Sequence, residues 1–391
     1  MKSKLIKSAG ILLFTMILIS CSKKKDDIIQ GDIVSWIKPC SVKYSFTGLA
    51  HLTKKSDDGF LVSGCINISD TILKKGVVIN LDSKGDTIWS KQIRINNYIY
   101  NNVFYAIQNS SEGILIAGVC FNNYKNPQRF MEWLDANGNV TKKILYPVKT
   151  GYDIGDSKLI PLPDGTIYYV FLASSQDLYS NEINLDIDLL DATGQITRSK
   201  EYKGVNTYLD RLTLLDNGNL LVAGTSLGDY PNYSDLLFLL IDGSGTEIYR
   251  RTFGSDNYDL GYSACTDHQN GYVVSGMVTY SYASAIYPIS SSGIVGGSIV
   301  VADSISSSAT VIKEGKSGGY NLFIQSRTRL YFLKLGSDFK VKRTLWMDNQ
   351  YSQNMAPWPV REIFQLSDGS FAFLYYSDLY GQSIVKTIPL N

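Results

Sequence analysis

The sequence predicts an all-β protein, a seven-bladed β-propeller of four-stranded antiparallel blades, and three observations lead to that prediction. A turn signature followed by an apolar strand recurs seven times along the 391 residues, at intervals of 48–54 residues. A second turn signature follows about half a period later. The two ends of the chain carry complementary parts of one more blade. No stretch after residue 20 combines sustained helical periodicity with caps, so no long helix is predicted there.

The first turn signature is a polar residue followed by glycine. It precedes strand-like runs such as FLVSG at 60–64 and YVVSG at 272–276, although the closing glycine of the run is missing in the third, sixth and seventh copies. Such dipeptides supply the positive φ of a two-residue hairpin turn, so each copy predicts two strands joined by that turn. The seven dipeptides are Asp58-Gly59, Glu112-Gly113, Asp164-Gly165, Asn217-Gly218, Asn270-Gly271, Gly318-Gly319 and Asp368-Gly369.

The second turn signature is Asp-x-x-Gly after an apolar run. It begins at Asp82, Asp135, Asp191 and Asp242, with degenerate versions at Ser290–Gly293 and Leu335–Asp338. An aromatic residue tends to follow, as Trp89 and Tyr249 do seven residues after the turn Asp. Each repeat therefore reads as strand, turn, strand, loop, strand, turn, strand. Four antiparallel strands in about 50 residues are the size of a propeller blade.

The chain ends predict how the ring closes. The seventh copy stops after its third strand (SIVKTIPLN), whereas residues 31–38 read as a fourth strand with no third strand before it. We expect this N-terminal strand to complete the last blade, because full closure removes both sheet edges. The competing arrangement, seven similar hairpins in a sandwich, does not explain the matching half-blades.

These repeats resemble the propeller repeats of bacterial secreted and lipid-anchored proteins. The shared pattern is polar-Gly-apolar-apolar-apolar-x-Gly followed by Leu-Asp-x-x-Gly-x-x-x-Trp, over about residues 31–391, and it is more distantly similar to quinoprotein-like repeats. The resemblance implies a fold and the packing between blades. It implies no activity, because propellers host many unrelated functions.

The first twenty residues predict a lipoprotein signal peptide (domain 1–20). Three lysines precede the apolar run ILLFTMILI at 11–19, which suits a secretory signal and is too short to span a bilayer. The run ends in Leu18-Ile19-Ser20-Cys21, which resembles a bacterial lipobox. By that resemblance Cys21 becomes the first residue and carries acyl chains (palmitate among them), which anchor the protein to a membrane. An ordinary signal peptide with a chance cysteine is the alternative.

The next segment, residues 21–30, is expected to be the lipidated cysteine and a tether before the propeller domain at 31–391. Its run SKKKDD is either a solvated spacer or a sorting tag similar to those of lipoproteins displayed at the bacterial surface. We expect the protein on the outer membrane, at the cell surface.

Charge and composition exclude several classes of function. The 37 basic and 36 acidic residues leave no surplus to bind phosphate backbones, so no nucleic-acid partner is predicted. The sequence holds two histidines, His51 and His268, and each is expected to be a structural polar residue. No motif predicts a metal site or a cofactor, and we expect a monomer. Cys40, Cys65, Cys120 and Cys265 show no C-x-x-C spacing and are expected to be buried thiols, with a Cys65–Cys120 bridge as the alternative.

Binding is expected on the face that carries the variable loops, which are rich in tyrosine. Tyrosine offers a flat apolar ring and a hydrogen-bonding tip, which suits a glycan or a protein partner. A packing role between blades is the alternative for every one of them. The candidates are Tyr98, Tyr100, Tyr124, Tyr152, Tyr179, Tyr230, Tyr233, Tyr258, Tyr280, Tyr282 and Trp358.

Catalysis is the weaker hypothesis, and no catalytic residue is assigned. A glycoside hydrolase or lyase would need carboxylates at the channel mouth, where Asp153, Asp156, Asp210 and Asp259 are placed by the repeat. Asp186 and Asp188 share one strand face, which we expect to be solvent-facing. The main prediction is a binding or scaffold module for a glycan or a protein, and an outer-membrane assembly factor is the third possibility.

Overall fold

The computed structural model describes residues 28–32, 34–40, 50–67, 74–109, 113–122, 125–149, 151–175, 183–207, 209–227, 234–255, 259–278, 283–302, 307–315, 318–326, 329–348, 361–377 and 381–389. Throughout these residues the backbone forms β-strands, together with a 3₁₀ turn at Leu209–Arg211. A search of the same residues finds no helix with the length and apolar character needed to cross a membrane.

The strands follow one another around a ring of seven blades. In chain order they are β1 (Ile28–Asp32) and β2 (Val34–Pro39); blade one, β3 (His51–Lys54), β4 (Phe60–Asn67), β5 (Lys74–Leu81) and β6 (Thr87–Ile93); blade two, β7 (Tyr100–Gln108), β8 (Ile114–Asn122), β9 (Lys125–Leu134) and β10 (Val140–Pro147); blade three, β11 (Tyr152–Pro161), β12 (Ile167–Ser175), β13 (Ile183–Leu190) and β14 (Ile196–Lys203); blade four, β15 (Val205–Asn206), β16 (Thr213–Leu214), β17 (Leu220–Leu227), β18 (Ser234–Ile241) and β19 (Glu247–Phe253); blade five, β20 (Asp259–Thr266), β21 (Tyr272–Val278), β22 (Ala283–Ile289) and β23 (Ile299–Ala302); blade six, β24 (Ser307–Glu314), β25 (Tyr320–Ser326), β26 (Arg329–Leu335) and β27 (Val341–Asp348); and blade seven, β28 (Arg361–Gln365), β29 (Phe371–Ser377) and β30 (Gly381–Thr387).

The predicted fold class is confirmed: the protein is a seven-bladed β-propeller. Within each blade successive strands pair antiparallel, and the first strand of each blade lies innermost. Seven apolar clusters fill the spaces between neighbouring blades, one for each pair, including the pair formed by blades seven and one. Because a blade buries both faces, its central strands are apolar at nearly every position, as in Leu236–Ile241.

The predicted closure of the ring is also confirmed. Strand β2 pairs antiparallel with β30, from Val34 opposite Thr387 to Pro39 opposite Ser383, and so supplies the fourth strand of blade seven. The Lys38 ammonium then forms an ion pair with Asp86 in the turn of blade one. The two ends of the chain are therefore held together by a strand ladder and by a contact between blades.

Blade six has a fifth strand that the repeat pattern does not predict. Strand β1 pairs parallel with β27, with Ile28 opposite Thr344 and Asp32 opposite Trp346. Ordered strand therefore begins inside the segment that the sequence assigns to the tether. The pattern does not reveal it because β1 lies outside the four-strand repeat.

The turns between strands three and four are built from the Asp-x-x-Gly signature. In blade one Gly85 N–H donates to Asp82 C=O, and Asp82 N–H donates to Asp86 C=O, so three residues form a type I turn with a glycine bulge at φ +78°. The Asp82 carboxylate accepts from the amides of Lys84 and Asp86, which fixes the turn. Asp135, Asp191 and Asp242 do the same in the next three blades.

In the polar–Gly dipeptide between strands one and two, the residue with the positive φ differs from blade to blade. Gly165, Gly218 and Gly369 take the positive φ themselves, whereas in blades one and five Asp58 and Asn270 take it instead. At Gly59 the requirement is space, since a Cβ there would lie 2.6 Å from the carbonyl oxygen of Leu81. The dipeptide thus supplies the predicted positive φ in all five of these turns. The predicted two-residue hairpin is wrong, because three residues separate the strands: Leu162 N–H donates to Thr166 C=O and Gly165 N–H to Leu162 C=O.

Neighbouring blades also meet at their outer strands. Trp89 donates its indole N–H to Ala136 C=O (2.8 Å), and its ring covers Gly138 in the turn of the next blade. Tyr249 covers Gly293 in the same way. At these two turns the aromatic residue that follows one turn signature packs its blade against the turn of the next.

The inner strands carry a β-bulge near one level of the channel. The ladder is interrupted between Val103 and Tyr105 and at the matching positions of blades five and six, with the bulge one residue nearer the turn in blade seven and two residues further from it in blade three. In blade four the 3₁₀ turn Leu209–Arg211 takes this place. The bulge presses the Asn102 carbonyl against Gly118, where a Cβ would lie 2.0 Å from the oxygen, and this explains the closing glycine of the second strand.

Candidate functional site

The ring has two unlike faces. The turn face is the end of the blades that carries the turns between strands one and two and between strands three and four. The loop face is the opposite end, where the 2–3 loops and the connectors between blades run. The turns of the turn face repeat one hydrogen-bond pattern around the described part of the ring.

Three of the eleven predicted ligand-binding residues lie in the described part of the chain. Tyr100 is 5% exposed and stacks on Phe121 at 4.8 Å. Tyr98 packs against the apolar cluster between blades one and two, and burial raises the pKa of its phenol. Tyr152 is half-buried, with the Lys149 ammonium 4.4 Å from its ring centroid. Tyr98 thus makes the contact between blades that the packing alternative requires, whereas Tyr100 packs within blade two, and ligand binding by the set stays a prediction.

The other eight candidates and the lipidation site fall outside the described residues. They are Cys21, Tyr124, Tyr179, Tyr230, Tyr233, Tyr258, Tyr280, Tyr282 and Trp358.

The central channel brings together polar side chains that the sequence does not group. His51 in β3 lies with Nδ1 2.9 Å from Oε1 of Glu362 in β28, and with Nε2 3.4 Å from Oδ1 of Asp156 in β11. The Tyr105 ring contacts the imidazole edge-on at 5.8 Å. Because an ionised carboxylate can only accept, Nδ1 of His51 carries the proton that joins it to Glu362. The imidazole of His51 therefore links blade one to carboxylates of blades three and seven.

Glu362 owes its position to the bulge of β28. Its φ is +46°, a left-handed conformation that costs a non-glycine residue about 1–2 kcal/mol. The side chain is 1% exposed, and its second oxygen accepts the backbone N–H of Leu52. Both oxygens thus bind blade one, and these charge-assisted bonds offset the strain.

Cationic side chains stand on the other side of the channel. Arg211 donates from Nη1 to the Tyr262 carbonyl at 3.4 Å, with its guanidinium 4.7 Å from the Tyr262 ring centroid. Lys158 donates to the Leu212 carbonyl at 3.3 Å. Each of these bonds runs from one blade to the next, so the cations also join neighbouring inner strands.

The four carboxylates considered for catalysis belong to three different blades. Asp153 is exposed at the start of β11, and Asp156 faces His51. Asp259 is fully buried and accepts from the Ser255 amide. Asp210 lies in the 3₁₀ turn, with its side chain outside the described set. Of the three side chains described, only Asp156 contacts the histidine of the channel.

The expectation for Asp186 and Asp188 is wrong, because their strand face is covered by blade two. Asp188 is 4% exposed and pairs with Arg129 (Nη1–Oδ2 2.5 Å), whose guanidinium lies 4.1 Å from the centroid of the Phe171 ring. Burial, with the charges of Glu201 and Asp188, raises the pKa of Asp186 to about 6. Alternation along a strand predicts that the two side chains share a face. It does not predict whether solvent or a neighbouring blade covers that face.

His268 has the structural role that the sequence predicts. Its Nε2 accepts the Gly319 amide at 2.7 Å, and its Nδ1 lies 2.9 Å from Oε1 of Glu314. The cysteines are as expected too: Cys40, Cys120 and Cys265 are buried thiols, and Cys65 is a half-buried one. Burial raises the pKa of Cys120 and of Cys265 to about 12. Within the described residues no group of three or more His, Cys, Asp or Glu side chains is placed to hold a metal ion.

Comparison with known proteins shows the fold alone. No family model matches this chain, and no curated protein matches it. A solved structure of YCF48 bound to D1 peptide is similar, with a TM-score of 0.52 and 8% identity over 92% of this chain and 96% of that chain. Drosophila Plexin A in complex with Semaphorin 1b is similar with a TM-score of 0.50 and 11% identity, over 93% of this chain and 88% of that one. The β-propeller is commonly a binding or scaffold module.

Proposed function

We propose that this protein is a lipid-anchored binding module of the bacterial outer membrane that recognises a protein partner through its loop face. The anchor is Cys21, and the binding surface is formed by the 2–3 loops and the connectors between blades. The propeller serves as the rigid scaffold that holds these segments.

The proposal rests on the difference between the two faces, since one carries short repeated turns and the other carries the long connectors. On the turn face, short repeated turns satisfy their own polar groups, as the Asp82 carboxylate does with two backbone amides. The segments 40–50 and 349–360, longer than any other segment between consecutive strands, both belong to the loop face. One joins blade six to blade seven and the other joins blade seven to blade one, so the two longest connectors both adjoin blade seven in the chain order of the ring.

A protein is favoured over a glycan for two reasons. Tyrosine-rich loops give large contact areas at a low cost in conformational entropy, as protein-binding surfaces do. The two similar propellers named above were each solved with a peptide or a protein bound. A glycan is the alternative outcome of the experiment below.

The binding experiment uses the Cys21→Ser chain as bait for solubilised outer-membrane proteins and, in parallel, on a glycan array. We expect one saturable protein partner, and we expect Trp358→Ala or the pair Tyr280→Ala and Tyr282→Ala to weaken binding at least about tenfold, which is about 1.4 kcal/mol. The matched control is Ile294→Ala, which removes a 70% exposed side chain from the turn face. Binding only to glycans, or equal losses in the control, would contradict the proposal.

The anchor is tested separately. The wild-type chain should incorporate a labelled palmitate analogue and fractionate with the outer membrane, and Cys21→Ser should do neither. Protease added to intact cells should degrade the wild-type chain if it is displayed at the surface. A chain that survives this treatment while a surface control is lost would place the loop face in the periplasm and favour an assembly role.

A further inference from the structure

The axis of the ring holds a cavity of about 250 Å³, enclosed by the inner strands of blades two to seven. The loop-face proposal does not use it. Its lining includes three cations from three blades, Lys158, Arg211 and Lys313, and one carboxylate, Glu362. Tyr105 and Ser263 add hydroxyl groups. The volume is below that of a pocket for a drug-sized molecule and suits one small polar group with its water.

The accessible part of the cavity lies toward the turn face. At the level of the bulges the lining is buried, with Tyr105, Arg211 and Glu362 each 4% exposed. Lys158 lies at this same level, and Lys313 lies two residues nearer the turns; both side chains are half-buried. A ligand that enters from the turn face therefore meets Lys313 first, with Lys158 and Arg211 at the floor.

The charge of the lining favours an anion. Both oxygens of Glu362 are engaged by blade one, through His51 and the Leu52 amide. Arg211 and Lys158 each donate to a backbone carbonyl of the neighbouring blade, which holds the cation in place. Three positive charges against one negative leave the lining net positive, in a water-poor site where charge interactions are stronger than at the surface.

We propose that this cavity is a second binding site, open on the turn face, for a single carboxylate or phosphate group. Arg211 at the floor presents a planar fork that matches either oxyanion, Lys158 adds a positive charge beside it, and Lys313 supplies charge at the entrance. The group arrives as a free small anion or as the acidic end of a peptide. The site is distinct from the loop face and stands independently of the partner that the loop face binds.

The experiment is calorimetric titration of the full-length chain in detergent with inorganic phosphate, succinate and a short peptide that ends in an acidic residue. We expect saturable binding of at least one probe with a Kd of about 1 mM or tighter. Tight binding of phosphate or succinate identifies a free anion as the ligand. Binding of the peptide at least about tenfold tighter than succinate identifies a chain-borne carboxylate.

Variants separate this site from non-specific charge. Arg211→Gln and Lys313→Gln should each weaken binding at least about tenfold. Lys342→Gln, which removes a 57% exposed lysine from the outer strand of blade six, should leave it unchanged. Lys313 is half-buried, so its variant keeps the test valid if Arg211→Gln fails to fold. Trp358→Ala should not affect the affinity for the anion.

The proposal is overturned if no probe saturates at 10 mM. It is also overturned if Lys342→Gln loses as much affinity as Lys313→Gln, because binding would then follow the overall charge of the protein.

Discussion

His51 of blade one and Glu362 of blade seven are 311 residues apart in sequence, and Nδ1 of the first lies 2.9 Å from Oε1 of the second. The contact joins the inner strands of the first and last blades at the point where the ring closes. At the outer edge of the same closure, β2 pairs with β30. The ring is therefore closed twice, by a buried polar contact at its axis and by a strand ladder at its rim.

Glu362→Gln should lower the free energy of unfolding by about 2–3 kcal/mol. The amide keeps a single acceptor oxygen for two buried donors, the Nδ1–H of His51 and the N–H of Leu52. One of the two donors is left without an acceptor, and the other keeps an uncharged acceptor in place of a carboxylate. Urea denaturation of the purified chain at pH 7 measures the change.

The matched control is Glu314→Gln. Glu314 also lies 2.9 Å from a histidine, His268, but its side chain is 41% exposed. Water replaces the lost contact there, so we expect a change below about 1 kcal/mol. Equal losses in the two variants would mean that burial does not set the strength of the His51 contact.

Gly194→Ala should destabilise the protein by about 1–3 kcal/mol more than Gly218→Ala. Both glycines have φ near +80° (+78° and +81°), so both variants carry the strain of a left-handed alanine, about 1–2 kcal/mol. A Cβ at Gly218 meets open space, whereas at Gly194 it lies 2.4 Å from the Trp133 ring of the preceding blade. Because the backbone strain is common to both variants, the difference between their melting temperatures measures the contact with Trp133 between blades. Identical melting temperatures would contradict the prediction.

Removal of β2 should have a much larger effect than removal of β1. A chain that begins at residue 41 leaves the β30 edge open, and we expect a fall in Tm of more than about 10 °C, or aggregation through that edge. A chain that begins at residue 33 loses only the parallel strand on blade six and should fall by less than about 4 °C. Similar melting temperatures for the two chains would show that the N-terminal strand does not close the ring.

The sequence predicts the blade count and the closure because both depend on local patterns. A turn signature repeated seven times marks each hairpin, and the unmatched strand at 31–38 marks the junction. The turn Asp and the aromatic residue after it act within one blade or on the adjacent turn, so their spacing is visible in the chain.

The channel could not be predicted in the same way. His51, Asp156 and Glu362 meet only because the ring brings blades one, three and seven to one axis. Glu362 also depends on a bulge, which moves its side chain out of the alternation that a regular strand would follow. A weak signal is present, since the charged residues Lys158 and Lys313 lie beside apolar residues of inner strands.

Asp186→Asn should stabilise the protein above pH 6 and have no effect near pH 4. Burial, together with the charges of Glu201 and Asp188, raises the pKa of this carboxyl from 3.8 to about 6. The folded state therefore holds the proton more tightly than the unfolded state, so the wild type loses stability as the pH rises from about 4 to about 6 and stays penalised above that. After solvent screening we expect a gain of about 1 kcal/mol for the variant at pH 8. Urea denaturation across pH 4–8 measures it.

The control is Asp188→Asn on the same face, which leaves Arg129 buried without its carboxylate and should lose about 3–5 kcal/mol at pH 8. A gain for Asp186→Asn that is the same at pH 4 and pH 8 would show that titration of this carboxyl is not its cause.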